Sequence, residues 1–142
     1  MMRFLPVFLI FFFPLVPVCH AEENGIPEIV LTGFETYQKY GAPAAINDWL
    51  KGSPFEASDK DHGSRRMTSV ESIYGRMVGF ELFRTVRLTP STRRVYILVK
   101  FEKGAAWMSF ECYKPVTAWI ILKFDFSTKA DEIVPPDLLA GQ

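Results

Sequence analysis

Cysteine and histidine are scarce in this chain of 142 residues, which holds two of each. Cys19 and His20 lie close to the N-terminus, so Cys112 and His62 are the only ones in the rest of the sequence. One cysteine cannot form an intramolecular disulfide, and one cysteine with one histidine makes a poor zinc site. We therefore expect a domain held together by packing, with no metal site and no cofactor.

An excess of charge is also lacking, because 16 basic residues balance 16 acidic ones. Such a balance gives no general attraction to nucleic acids or anionic membranes. The basic pairs Arg65-Arg66 and Arg93-Arg94 are short and flanked by polar residues, which is typical of solvated loop charge. We expect no nucleic-acid partner.

Long apolar runs are absent except for Phe4 to Val18, which follows the positive charge of Arg3 and contains three prolines. This run is too short for a stable membrane-spanning helix and is typical of a signal peptide. Small residues at Cys19 and Ala21 predict cleavage after Ala21. The protein would then be exported, periplasmic or secreted, with residues 1–21 as the signal, residues 22–142 as one α+β domain and no stable membrane span.

Two alternatives to cleavage after Ala21 stay open. The first is a lipoprotein signal in which Cys19 is acylated, although Val18 is bulky where that peptidase prefers a small residue. The second is an uncleaved anchor.

Three helices are predicted in the first half of the domain. Apolar residues at helical spacing indicate a first helix from Ile26 to a stop at Gly41, and a shorter one follows Pro43 and ends near Gly52. Residues 56–66 are almost wholly polar and predict a solvated loop or a frayed helix. A capping-box pattern at residues 68–71 then predicts a third helix that ends before Gly79.

The apolar period changes from 3.6 to 2 after Gly79, which predicts four strands. They cover residues 80–88, 93–102, 105–113 and 117–126. Because the connections are of hairpin length, we expect an antiparallel meander. Helices followed by such a sheet define an α+β fold, with N-terminal helices packed on one face of a curved four-stranded sheet.

Alternation in the last two strands predicts which residues face the helices. They are Ala106, Met108, Phe110 and Cys112 in the third strand, and Ala118, Ile120, Leu122, Phe124 and Phe126 in the fourth.

Three runs carry a resemblance to a known superfamily: Tyr40 to Pro54, Ile73 to Gly75 and Trp119 to Phe126. In this layout the chain resembles the cystatin-like folds, and most closely the nuclear transport factor 2-like superfamily and its small secreted bacterial members. The likeness covers about residues 28–133 and implies a cone-shaped sheet around helices, and often a dimer. That superfamily holds isomerases, dehydratases, epoxide hydrolases and non-catalytic scaffolds, so the resemblance implies no reaction.

No residue is assigned a catalytic role. Enzymes of this superfamily place carboxylates, or a His and Asp pair, inside the cone, and no such set aligns with this chain. His62 lies in the most polar stretch of the chain, which favours a solvated side chain over a general base. Cys112 is predicted to face the core beside Phe110 and to act there as a small apolar residue.

A ligand pocket between the helices and the sheet is one hypothesis. Its candidate residues are Tyr37, Tyr40, Trp49, Tyr74 and the inward-type Arg84, which could hold an anion. The alternative is that these aromatics are ordinary core residues and that Arg84 pairs with a carboxylate such as Glu35.

An interface on the other side of the sheet is a second hypothesis. Trp107, Tyr113 and Trp119 are large aromatics on a face that is otherwise polar, which favours a protein interface and in particular a homodimer. Single exposed aromatics are the alternative explanation.

The leading functional interpretation is an exported, non-catalytic binding or interaction domain that dimerises through its sheet. The alternative is a small-molecule pocket protein, or an isomerase- or dehydratase-like enzyme that uses Tyr, Arg and carboxylate groups in the cone. A third interpretation is an accessory subunit bound to an envelope protein.

The dimer hypothesis predicts the solution mass of the mature protein. We expect twice the monomer mass by light scattering, and the monomer mass when Trp107 and Trp119 are both replaced by Ser. A strictly monomeric wild-type protein would remove the argument for an interface.

Overall fold

The computed structural model describes residues 25–141, so the predicted signal peptide, its cleavage site and Cys19 lie outside the described residues. Three helices come first: α1 (Glu28–Tyr40), α2 (Ala42–Trp49) and α3 (Ala57–Tyr74). Four strands follow: β1 (Met77–Thr89), β2 (Thr92–Phe101), β3 (Gly104–Tyr113) and β4 (Ile120–Ser127). A 3₁₀ turn (Ala130–Glu132) and a short helix, α4 (Pro136–Ala140), end the chain.

The four strands form one antiparallel sheet in the order β1-β2-β3-β4, which confirms the predicted meander and the α+β class. Every connection within it joins sequence neighbours. On β3, Ala106, Met108, Phe110 and Cys112 are all fully buried toward the helices, as the alternation predicts.

Regular alternation fails at four bulges, where one residue has no partner across the ladder. The unpaired residues are Val78, Phe83 and Leu88 in β1 and Leu122 in β4. Each bulge shifts the alternation by one residue. Beyond a bulge, residues at even spacing from those before it therefore no longer lie on the same face of the sheet.

Two of these bulges overturn expected orientations. Arg84, which follows the bulge at Phe83, pairs with Tyr96 on the face away from the helices and is exposed. In β4 the bulge at Leu122 leaves Leu122 39% exposed and brings Ile121 opposite Cys112 in the core.

Residue Ala118 was also expected to face the core. It lies before the start of β4 and is exposed.

The third helix begins twelve residues earlier than the capping-box pattern predicts, with Glu56 and not Thr68 as the N-cap. Its start is fixed by the Asp59 carboxylate, which accepts a hydrogen bond from the backbone N–H of Glu56 at 3.1 Å. Met67 is buried against the core, while the polar residues around it face solvent. The stretch 56–66 is therefore mostly the solvent side of α3, and the helix ends at Gly75 (φ 83°) and not at Gly79.

Trp49 lies at the centre of the core and is fully buried. Its ring centroid is 4.9 Å from that of Phe34 and 5.2 Å from that of Phe110. The indole Nε1 donates a hydrogen bond to the Val30 carbonyl at 3.0 Å. The two helices can approach this closely because α1 has a glycine at the contact: a Cβ on Gly33 would lie 1.9 Å from Trp49 Nε1.

A second buried region lies on the outer face of the sheet, the face away from the helices. Tyr96 is 2% exposed and pairs there with Ser109, but neither belongs to the main core cluster. The hydroxyl of Ser127 donates to Glu132 at 2.5 Å, and Val134 is 1% exposed. The C-terminal segment is therefore held against the domain where β4 ends.

The contact between α1 and α2 predicts that Gly33→Ala is strongly destabilising. The added methyl overlaps the Trp49 indole and breaks its hydrogen bond to Val30, which should cost about 3 kcal/mol or more of unfolding free energy in urea titrations. Gly63→Ala is the matched control, also in a helix. A Cβ there meets Ile46 Cδ1 at 3.4 Å, and helix propensity should offset any strain. Equal stability of the two variants would contradict the proposed contact.

Candidate functional site

The residues expected to line a central pocket do not come together. Tyr37 and Trp49 are core residues, 2% and 0% exposed, whereas Tyr40 is 74% exposed on α1. Tyr74 is half-buried at the end of α3 and packs on Gly104, where a Cβ would lie 2.7 Å from its ring. With Arg84 on the outer face, the predicted pocket is replaced by filled core.

The aromatics expected to form one interface are also separated. Trp107 is half-buried on the outer face, where its ring meets Phe83 edge-on at 5.5 Å. Tyr113 is half-buried near the end of β3. Trp119, by contrast, packs against the main core cluster and does not share the patch around Trp107. Trp119 departs from its predicted position on the outer face for the same reason as Ala118: the loop before β4 does not continue the alternation of the strand.

The surroundings of Trp119 are cationic. The Arg93 guanidinium carbon lies 5.0 Å from the ring centroid and Lys114 Nζ lies 4.8 Å from it, both within the range of cation–π attraction. Arg93 also donates a hydrogen bond to the Gly25 carbonyl at 3.0 Å. The indole is therefore fixed between β2, the loop after β3 and the residues before α1.

Beside Trp119 lies a cleft of about 610 Å³, which we call the Trp119 cleft. It is formed by the start of α1, the end of α2 and the loop that leads into β4. Its lining residues are Glu28, Ile29, Thr32, Asp48, Lys51, Gly52, Thr117, Ala118, Trp119 and Ile120.

The floor of the cleft is apolar and its rim is polar. Ile29, Trp119 and Ile120 are half-buried, whereas Glu28 and Lys51 are exposed at the edge. One wall of the cleft is held by a hydrogen bond between the two helices. The Thr36 hydroxyl donates to the Asp48 carboxylate and so connects α1 to α2. Volume, apolar floor and polar rim match the usual properties of small-molecule sites.

Of these lining residues, Trp119, Ala118, Ile120 and Gly52 were named from the sequence, but each for another role. Glu28, Thr32, Asp48 and Lys51 look like ordinary solvent-facing residues of amphipathic helices. What makes them a site is the path of residues 114–119, which no periodicity predicts.

The titratable groups with strongly shifted pKa values lie outside this cleft. Burial raises the pKa of the Cys112 thiol to about 12, although the nearby Arg93 charge opposes the shift. Burial, and then the neighbouring Glu71 carboxylate, raise the pKa of Tyr37 far above its usual range. His62 is exposed on α3, beside a smaller cavity of about 200 Å³.

Among residues 25–141, no group of three or more His, Cys, Asp and Glu side chains is arranged to hold a metal ion. Within the same residues, no helix has both the length and the apolar character needed to cross a bilayer.

Comparison of the chain with protein-family models, with curated proteins and with solved structures finds no match. Any function assigned to the chain therefore rests on the geometry of its sites.

The raised pKa of Cys112 predicts that this thiol resists alkylation in the folded protein. At about pH 8, iodoacetamide should leave the Cys112 peptide unmodified by mass spectrometry, and label it fully once denaturant is added. The folded state holds the thiol protonated, so its contribution to stability is complete below the ordinary thiol pKa of about 8.5 and declines as the pH rises toward the folded value. Rapid labelling of the native protein would show that Cys112 is accessible.

Proposed function

We propose that this chain is an exported, non-catalytic binding domain whose ligand is a small amphipathic molecule bound in the Trp119 cleft. The observation that carries the proposal is the cleft itself, which combines a volume of about 610 Å³ with an apolar floor and a polar rim. A volume of this size accommodates a ligand of drug-like dimensions.

The charges around the cleft favour a ligand that is amphipathic over one of a single charge sign. Glu28 and Asp48 are acidic, Lys51 is basic, and two further cations lie on the Trp119 ring. A flat apolar group would lie along Ile29 and Trp119, while polar substituents would meet the rim. Burial of the apolar part contributes roughly 25 cal/mol per Å² removed from water.

The non-catalytic part of the proposal is supported by the state of the reactive groups. Burial raises the pKa values of Cys112 and Tyr37 still further above neutral pH, where thiols and phenols are ordinarily protonated. Catalysis by a general base needs a group whose pKa lies near the working pH and which reaches the substrate. Neither residue lines the Trp119 cleft.

For the architecture we propose the cone of the nuclear transport factor 2-like superfamily. Helices that precede an antiparallel meander support this assignment, and so do the bulges in β1 and β4, since bulges bend a strand and increase its twist. Export, by cleavage after Ala21, is likewise a proposal.

A homodimer through the outer sheet face is the second candidate. It is favoured by the half-buried pair of Phe83 and Trp107, an aromatic contact on the face away from the helices. Trp119 no longer contributes to it, which leaves a smaller aromatic patch than the sequence indicates. A dimer of this kind, or a complex with an envelope protein, stays a prediction.

The Trp119 cleft can be tested with anilinonaphthalene sulfonate, a flat amphipathic dye that fluoresces when it is bound. We expect saturable fluorescence with the wild-type protein. Thr32→Tyr should weaken the binding at least about tenfold, because Thr32 is exposed on α1 and a larger side chain there fills the cleft without entering the core.

Trp107→Ala is the control for the location of binding. It removes a half-buried indole, comparable to Trp119, from the outer sheet face. It should leave the dye affinity unchanged. Loss of binding in Trp107→Ala with full binding in Thr32→Tyr would move the binding surface to the sheet, and the cleft proposal would fail.

A further inference from the structure

A further cavity, of about 450 Å³, lies at the other end of α1 from the Trp119 cleft. We call it the Tyr37 cavity. It is bounded by the last turn of α1, the last turn of α3 and the start of β1, and its walls include Tyr37, Gln38, Glu71, Arg76, Met77 and Val78. No residue is shared with the Trp119 cleft.

The Tyr37 side chain is 2% exposed, and its hydroxyl forms no hydrogen bond of normal geometry with any described residue. The Glu71 carboxylate lies close enough to raise the pKa of that hydroxyl through its charge and through hydrogen bonding. A buried polar group without a well-formed hydrogen bond is costly, and such groups are rare in folded proteins. Because Tyr37 lines the cavity beside Glu71, a bound molecule can offer its hydroxyl a well-aligned partner.

The Glu71 carboxylate is the negatively charged group that lines the cavity together with Tyr37. It is half-buried and forms no ion pair with any described residue, although its backbone carbonyl accepts a hydrogen bond from Gly75. A partly desolvated carboxylate attracts a cation more strongly than an exposed one.

Two helix ends add to the negative potential of this cavity. Both α1 and α3 finish beside it, at Tyr40 and Tyr74. The C-terminal end of a helix carries a partial negative charge of about half an elementary charge and favours cations.

Arg76 does not cancel this negative potential, because its guanidinium forms an ion pair with Glu102. Its Nε and Nη2 donate to Glu102 Oε1 at 3.2 and 3.1 Å, and its backbone N–H donates to Oε2 at 3.1 Å. The paired guanidinium forms part of the rim and leaves Glu71 available.

We propose that the Tyr37 cavity binds an organic ammonium ion with a short alkyl body. The ammonium group would donate hydrogen bonds to the Glu71 carboxylate and to the Tyr37 hydroxyl oxygen. Its alkyl chain would lie on Met77 and on Val78, which is 58% exposed at a bulge of β1. This site does not depend on a ligand in the Trp119 cleft.

The test is a titration of the purified protein with n-pentylammonium, followed by NMR of the backbone amides. Saturable shifts are expected in the last turns of α1 and α3, with none around Trp119. 1-Pentanol, which has the same alkyl chain and no charge, should give no saturable shifts at the cavity.

Variants separate recognition from folding. Glu71→Gln should weaken n-pentylammonium binding roughly ten- to a hundredfold, since it removes a hydrogen bond to a charged group. Tyr37→Phe should weaken it a few-fold and leave the thermal midpoint equal or higher, because an unpaired buried hydroxyl is lost. Glu35→Gln, on the exposed side of α1, is the matched control and should bind as the wild type does.

Equal affinity of Glu71→Gln and the wild type would overturn the proposal, as would equal binding of 1-pentanol or shifts confined to the Trp119 cleft. The absence of any saturable shift would overturn it too and would leave water as the partner of Tyr37.

Discussion

The contact between Gly33 and the Trp49 indole determines how the helical layer is built. It sets the distance between α1 and α2, and the indole in turn packs on Phe34 and on Phe110 of the sheet. The end of α2 then brings Asp48 and the residues after it into the Trp119 cleft, while the other end of α1 borders the Tyr37 cavity. Both proposed sites thus depend on one helix–helix contact.

Periodicity predicts those parts of the fold in which each residue follows the regular geometry of its element. The first two helices, the meander and the buried face of β3 are of this kind. The start of α3 was misplaced because a polar helix with one buried methionine has little apolar periodicity. Arg84 and Leu122 were misoriented because each bulge shifts the alternation by one residue, and a bulge residue has no distinctive sequence signal.

The candidate sites were less predictable than the fold, for a physical reason. Aromatic residues identify buried volume, and Tyr37 and Trp49 are indeed buried, but a cavity forms where packing is incomplete. Incomplete packing depends on loop paths and helix ends, which bring together residues such as Glu28 and Lys51 that are distant in sequence. Tyr37 was identified as a pocket residue, whereas its neighbour Glu71 was noted only as part of a capping pattern.

The spacing of the bulges in β1 bears on how the protein avoids aggregation. β1 is an edge strand of 13 residues, and an edge of that length normally offers a row of unpaired backbone groups to a strand of another molecule. Its bulges at Val78, Phe83 and Leu88 recur every five residues and interrupt that row before a regular ladder can extend along it. Intermolecular strand addition along β1 is thereby disfavoured.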